Sequence, residues 1–217
     1  MNLSFLPNLM TFANLFCGLF GIHIILNCGG YFGNNNFLTI DLKYASMLIL
    51  IGSFFDLLDG FFARKLKITS KMGAMLDSFA DLITFGVLPC IIFQKMISIS
   101  IYQSYSFLSN SYIFFFIPFV IPIFCAYRLA RFNLKNTENF FEGLSSTASG
   151  IFISFFSLFF FETKNISLKF ILSDAYILCF LSIVLAILMV SNIKFISFKF
   201  KNFSIKENFF RYLIILN

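Results

Sequence analysis

The sequence predicts an all-α membrane protein, a polytopic bundle of about six transmembrane helices. Of its 217 residues, 59% are hydrophobic, and the mean hydropathy is +0.89. A water-soluble domain of this length could not bury so much apolar surface, whereas a bilayer can accommodate it. A transmembrane helix needs about 20 apolar residues, and six stretches approach that length. The predicted spans are residues 7–27, 43–63, 76–97, 112–132, 147–162 and 174–192.

The 16 lysine and arginine residues are distributed unevenly between the ends of these spans. If the six spans alternate in direction, both termini lie on one side of the membrane, and only Lys43, Lys95, Lys164 and Lys169 lie on the other. Because loops rich in Lys and Arg stay in the cytoplasm, we expect both termini on the cytoplasmic side of the inner (cell) membrane. Basic residues that flank apolar runs are typical of topology signals and of contacts with anionic lipids. We therefore expect membrane lipid as a partner and no nucleic acid.

The chain is short enough to form a single domain. We assign residues 1–192 to one membrane domain and residues 193–217 to a basic tail. The tail is basic and aromatic but too short for a further span, so we expect it in the cytoplasm or at the membrane interface.

The cysteines and the single histidine form no recognisable metal-binding or nucleophilic pattern. The five cysteines lie far apart, without a CxxC or Cys/His spacing, and are expected to be buried as small hydrophobic residues. His23 lies within the first predicted span, where we expect it to pack at a helix interface. A zinc site or a histidine-based triad is therefore not expected.

Four aspartates interrupt the apolar sequence at the end of the second predicted span and the start of the third. Asp56 and Asp59 are three residues apart, and Asp77 and Asp81 are four apart, so each pair shares one face of a helix. The basic link between the spans lets the helices run antiparallel and brings the carboxylates to one depth near the cytoplasmic surface. Acids in this setting need a compensating charge, and an all-carboxylate site suits Mg²⁺ or Mn²⁺. We expect the four carboxylates to bind one divalent cation or two.

Small residues and an arginine accompany the acids. Gly60, Ala63 and Gly73 lack bulk, so that a nucleotide could approach the backbone closely. The planar guanidinium of Arg64 could hold a phosphate. A cation-dependent transporter, or a packing cluster paired with Arg64, is the alternative interpretation. A transporter would carry polar residues across several spans, and the first, fourth and sixth show few.

The complete pattern from Asp56 to Asp81 is D-x2-D-G-x2-A-R-x8-G-x3-D-x3-D. It resembles the motif of the CDP-alcohol phosphotransferases, membrane enzymes that displace CMP from a CDP-activated alcohol with a second alcohol. The resemblance implies a homodimeric transferase with a divalent metal. It implies that Asp56, Asp59 and Asp77 bind metal, and that Asp81 accepts a proton and also lies at the metal site. The positions implied to contact the CDP moiety are Gly60, Arg64 and Ser70, with Asn8 and Thr11 in PNLMT as a further nucleotide-binding segment.

The flanking sequence favours one acceptor. PNLMTFANLFCGLFGI, LDSFADLITFGVLPC and FEGLSSTASG resemble segments of the membrane-embedded phosphatidylserine synthases of bacteria, which implies CDP-diacylglycerol and L-serine as substrates. The alternative, phosphatidylglycerophosphate synthase, usually has Pro after the third Asp and Lys after the fourth, where this chain has Ser78 and Leu82. One departure from the serine pattern is Ser145, at a position where Pro is common.

Two further arginines, Arg128 and Arg131, lie at the cytoplasmic end of the fourth predicted span. They are either topology anchors or ligands of a substrate carboxylate or phosphate in the same cytoplasmic cavity. We include both among the candidate substrate-binding residues, with the serine carboxylate as their ligand.

Overall fold

The structure, a computed structural model, describes residues 5–27, 35–66, 70–103, 113–134, 141–172 and 174–195, and these residues are almost entirely helical. The helices are α1 (Leu6–Asn27), α2 (Asn35–Leu66), α3 (Lys71–Asp81), α4 (Leu88–Gln103), α5 (Ile113–Phe116), α6 (Val120–Leu134), α7 (Ser146–Glu162), α8 (Ile166–Leu172) and α9 (Ala175–Val190). A π-helical turn, the π segment (Leu82–Val87), joins α3 to α4, and a 3-10 turn (Ile117–Phe119) joins α5 to α6.

Within the described part of the chain, four continuous apolar helices are long enough to cross a bilayer, and they are Leu6–Asn27, Ile40–Leu66, Lys71–Ser100 and Ile113–Leu134. Helices α7 and α9 lie where the fifth and sixth spans are predicted, and they have 17 and 16 residues. The prediction of an all-helical chain with several membrane-spanning helices is therefore confirmed. The count of six spans and the side on which the termini lie stay predictions.

The central helix of the bundle is the continuous helix Lys71–Ser100, which carries Asp77 and Asp81. In Lys71–Ser100, 56% of the most apolar stretch is buried, compared with 33% or less in the other three long helices. Its buried side chains include Phe85, Leu88 and Phe93. Many large apolar side chains on the outer helices, such as Phe16 and Phe180, are exposed, as expected for surfaces that face lipid.

A short strand pair closes one end of the bundle. Strand β1 (Phe141–Glu142) pairs antiparallel with β2 (Lys194–Phe195), with Phe141 opposite Phe195. Gly143 follows β1 with a φ of +78°, a conformation that favours glycine. Its N–H donates to the Ile193 carbonyl at 2.9 Å. These bonds fix the start of α7 beside the end of α9.

The expected burial of the cysteines is confirmed for those that the structure describes, whereas the expectation for His23 is wrong. Cys17, Cys90, Cys125 and Cys179 are free and buried, as predicted, and Cys28 lies outside the described residues. His23 does not pack between helices. Its side chain is on the exposed side of α1, in contact with Asn27 at 3.0 Å, because the inward face of α1 is formed by small and polar residues such as Asn14 and Gly18.

The predicted basic tail falls mostly on residues 196–217, which lie outside the described part of the chain. The division into a membrane domain and a tail therefore stays a prediction.

Candidate active site

Three aspartates converge where the end of α2 meets the start of α3. One carboxylate oxygen each from Asp56, Asp59 and Asp77 lie within 4.8 Å of one another. Asp59 is buried, and the other two are partly buried. The Oδ1 atom of Asp77 is buried without a hydrogen-bond partner among the described residues. Three clustered carboxylates, one of which has a buried oxygen without a partner, fit a hard divalent cation such as Mg²⁺ or Mn²⁺.

The fourth aspartate, Asp81, lies one helical turn further along α3. It is only 8% exposed and is close enough to the other three carboxylates and to the Arg128 guanidinium to interact with them electrostatically. Its Oδ1 accepts a hydrogen bond from Asn14 Nδ2 at 3.4 Å. Asp81 is not one of the three residues whose oxygens lie within 4.8 Å of one another. Its place in a metal site therefore stays a prediction.

Hydroxyl groups from two neighbouring helices orient the carboxylates of α2. Thr11 Oγ1 of α1 donates to Asp59 Oδ2 at 2.9 Å, and Thr147 Oγ1 of α7 donates to Asp56 Oδ2 at 3.2 Å. Each bond occupies one oxygen of its acceptor carboxylate. Four helices, α1, α2, α3 and α7, therefore contribute to the cluster, although the motif itself spans only α2 and α3.

A cavity of about 420 Å³ opens beside the cluster, within the size range of small-molecule sites. Six of the residues predicted to bind the nucleotide line this cavity, together with two of the aspartates. The lining residues are Pro7, Asn8, Thr11, Asp59, Gly60, Ala63, Ser70, Gly73, Ala74 and Asp77.

The first turn of α3 forms one wall of this cavity. Ser70 caps the helix, and its Oγ accepts a hydrogen bond from the Gly73 N–H at 2.9 Å. A Cβ at residue 73 would lie 2.9 Å from Ser70 Oγ and 3.2 Å from Asn8 Oδ1, so the wall closes only with glycine there. Because the remaining N–H groups and the dipole of a helix N-terminus favour an anion, this wall suits a phosphate.

The three candidate arginines occupy different positions. Arg64 is exposed, and its guanidinium lies against Gly60, where a Cβ would be 3.2 Å from Nη1. Arg64 is not among the residues that line the cavity. Arg128 lies on the side of the aspartates, and its Nη1 donates to Ser146 Oγ at 3.2 Å. Arg131 instead donates to Asn192 Oδ1, at 3.3 Å from Nη2. The structure thus places the Arg128 guanidinium close enough to Asp81 for the two charges to interact.

Comparison with known proteins decides the family. Residues 4–195 match the CDP-alcohol phosphatidyltransferase family. The chain belongs to this family. As a CDP-alcohol phosphatidyltransferase, it is a transferase of phospholipid biosynthesis, and its long apolar helices make it an integral membrane protein.

Several relatives carry the name CDP-diacylglycerol–serine O-phosphatidyltransferase. A protein of Bacillus subtilis is 33% identical over 144 residues, which are 63% of this chain and 65% of the relative. A protein of Helicobacter pylori is 31% identical over 97% of this chain and 78% of its own length. A protein of Methanocaldococcus jannaschii is 30% identical over 82% of this chain and 77% of its own length.

The structure adds two residues to this phosphatidyltransferase site that the sequence did not single out. Asn14 lies one turn from Thr11 on α1, and its amide contacts Asp81. Thr147 lies in the first turn of α7 and contacts Asp56. A polar amide within an apolar span could have indicated a functional role for Asn14. Thr147 had no such signal, because it is 91 residues from its partner in a segment rich in hydroxyl residues.

Proposed function

We propose that the chain transfers the phosphatidyl group of CDP-diacylglycerol to L-serine and releases CMP. The observation that carries the proposal is the convergence of Asp56, Asp59 and Asp77 beside a cavity walled by the N-terminus of α3. That arrangement combines oxygen ligands for cations with a site for phosphate. The serine acceptor is supported by the names of the relatives and by Ser78 and Leu82 in place of Pro and Lys.

The carboxylates of Asp56, Asp59 and Asp77, with Asp81 beside them, would hold one or two Mg²⁺ or Mn²⁺ ions. When bound, such ions neutralise the diphosphate and the charge that develops on the leaving group. The hydroxyls of Thr11 and Thr147 keep the carboxylates of Asp59 and Asp56 turned toward the cluster. A site fixed in advance needs less reorganisation when substrate binds.

The CDP moiety would occupy the cavity beside α3. Gly60, Ala63 and Gly73 leave room for it, and Asn8, Thr11 and Ser70 offer polar side chains at its walls. The α3 N–H groups face a phosphate, and Arg64, on the exposed side of Gly60, would reach over to a phosphate of the bound donor. The acyl chains would remain in the bilayer beside the bundle.

In the transfer step the serine hydroxyl oxygen forms a bond to the phosphorus on the lipid side of the diphosphate. The carboxylate of Asp81 accepts the hydroxyl proton as the attack proceeds. The bond between that phosphorus and the bridging oxygen breaks, and CMP leaves with the electron pair. Asp81 suits this role because it is buried beside the cluster, so that bulk water does not compete for its oxygens.

For the serine carboxylate, Arg128 is the better supported of the two candidates. It lies near Asp81, and its Nε is buried without a hydrogen-bond partner among the described residues. A planar guanidinium with an unused donor suits a carboxylate. Arg131 donates a hydrogen bond to Asn192 at the end of the bundle. Its alternative role as an anchor of membrane topology is sufficient to explain an arginine at that position.

We also propose that the enzyme is a homodimer in the inner membrane with its active site open to the cytoplasm. The distribution of Lys and Arg supports the orientation, and the family resemblance supports the dimer.

The test is CMP release by the purified protein with CDP-diacylglycerol and Mn²⁺, with serine, glycerol 3-phosphate or inositol phosphate as the acceptor. We expect release with serine alone, loss of release with EDTA, recovery on addition of Mn²⁺ or Mg²⁺, and a loss of at least about 100-fold in Asp81→Asn. Release with glycerol 3-phosphate alone would refute the acceptor and retain the chemistry. Ion flux with no CMP release from any acceptor would refute the transferase and favour a transporter.

A further inference from the structure

Asn14 is a fully buried asparagine in the middle of an apolar helix. Its Nδ2 donates to Asp81 Oδ1 at 3.4 Å, across the interface between α1 and α3. Its Oδ1 is buried without a hydrogen-bond partner among the described residues. An unpaired buried carbonyl oxygen lowers stability, so packing does not explain why the interface holds an amide here. The contact with Asp81 does.

The surroundings of Asn14 fix its position. Thr84, in the π segment, donates from Oγ1 to the Asn14 backbone carbonyl at 3.0 Å. Helix α2 also approaches this point closely because Gly52 has no side chain. A Cβ there would lie 2.8 Å from Thr84 Cγ2 and 3.0 Å from Asn14 Oδ1. Asn14 is thus held between α2 and the π segment and has little freedom to turn away from Asp81.

The π segment links this contact to the catalytic carboxylate. It begins at Leu82, directly after Asp81, and π-helical turns within α-helices occur frequently at functional sites. Thr84 therefore fixes α1 to the same stretch of backbone that carries Asp81. Asn14 reaches back from α1 to the Asp81 side chain, and the two hydrogen bonds make a closed connection between the helices.

We propose that Asn14 is a positioning residue that fixes the rotamer of Asp81, so that Oδ2 stays free to accept the proton of the acceptor hydroxyl. The inference rests on the proposed function, in which Asp81 takes that proton. The amide N–H occupies Oδ1, and a carboxylate with one oxygen occupied presents the other in a defined direction. An amide does this without adding a charge or a competing base. Proton transfer needs hydrogen-bond geometry between base and hydroxyl, so loss of the orientation lowers kcat.

The experiment compares Asn14→Leu, Thr84→Val and Thr84→Ser with the wild type. Leucine keeps the branched shape of asparagine and removes the donor. Valine keeps the shape of threonine and removes the hydroxyl, whereas serine retains the hydroxyl. Ser182→Ala, which removes a buried hydroxyl bonded within α9, is the matched control. The measurements are kcat and both KM values for CMP release, CDP-diacylglycerol binding, and the thermal unfolding midpoint.

We expect Asn14→Leu to lower kcat by about 10- to 100-fold, the effect of a lost hydrogen bond to a charged group. Both KM values and CDP-diacylglycerol binding should stay within about twofold of the wild type, because Asn14 does not line the donor cavity. Thr84→Val should lower kcat less, and Thr84→Ser and Ser182→Ala should retain it.

An unchanged kcat in well-folded Asn14→Leu would refute the positioning role while the proposed function stands. Equal kcat values in Thr84→Val and Thr84→Ser would also overturn the positioning role. So would a lower kcat in Asn14→Leu that is accompanied by an equal rise in both KM values. Failure of the wild-type protein to release CMP with serine would instead refute the proposed function, and the inference with it.

Discussion

At the scale of single residues, hydrogen bonds from neighbouring side chains orient the carboxylates of the site. Thr11, Thr147 and Asn14 each donate to one oxygen of a different aspartate, while Asp77 Oδ1 has no partner among the described residues. Each of these donors occupies one of the two oxygens of its acceptor carboxylate. Neutral donors achieve this orientation without cancelling the negative charge that attracts a divalent ion.

A residue-scale prediction separates the two arginines near the end of α6. Arg128→Lys should raise the KM for serine by about tenfold or more and leave the KM for CDP-diacylglycerol nearly unchanged, because lysine loses the planar fork that binds a carboxylate. Arg131→Lys, the matched control, should change either KM by less than about twofold, since Arg131 bonds to Asn192 outside the cavity and a lost exposed contact has a small effect. Steady-state kinetics with each substrate varied checks both variants. Equal increases in both KM values for Arg128→Lys would contradict the assignment.

At the scale of elements, α7 completes the site because it packs tightly against the π segment. A Cβ at Gly150 would lie 2.9 Å from Phe85 Cδ1 and 3.2 Å from the Phe85 Cα. The backbone of the π segment cannot move aside easily, so glycine sets the distance between the two elements. That distance in turn brings Thr147 to Asp56.

We therefore expect Gly150→Ala to destabilise the fold by about 1–3 kcal/mol, the usual effect of overpacking, and to raise the Mn²⁺ concentration needed for half-maximal activity. Gly86→Ala is the matched control in the π segment, because its Cβ would meet the Cys125 and Leu82 side chains at 3.3 Å, and side chains can shift. Thermal unfolding and metal titration of CMP release provide the measurements. The explanation fails if Gly86→Ala is as damaging as Gly150→Ala.

The elements also show what the sequence could and could not predict. The spacing of Asp56, Asp59 and Asp77 predicted their convergence because helical periodicity and an antiparallel turn are local properties. The strand pair near Gly143 and the contact of Thr147 with Asp56 join segments far apart in sequence, so no local pattern indicates them. Ser145 illustrates the difference, since its departure from Pro is explained only by the cap that its hydroxyl forms with the Ala148 N–H.

At the scale of the whole molecule, opposite ends of α2 and α7 are joined by different kinds of contact. At one end Thr147 donates to Asp56, and at the other Lys43 forms an ion pair with Glu162 at 2.5 Å. The two contacts are separated by 13 residues on α2 and 15 on α7, or about 20 Å at 1.5 Å per residue. The two helices thus run antiparallel, with the aspartates at one end of the bundle.

This arrangement makes a prediction about sidedness that does not depend on activity. Lys71, at the start of α3, and Lys164, just after α7, are exposed at the two ends. If the aspartate end faces the cytoplasm, a membrane-impermeant maleimide should label Lys71→Cys only in inside-out vesicles and Lys164→Cys only in right-side-out vesicles. The native cysteines at 17, 90, 125 and 179 are buried, so a Cys28→Ser background supplies the control. The reverse pattern would place the site outside the cell, and labelling of both positions in one type of vesicle would show that α7 does not carry the chain across the bilayer.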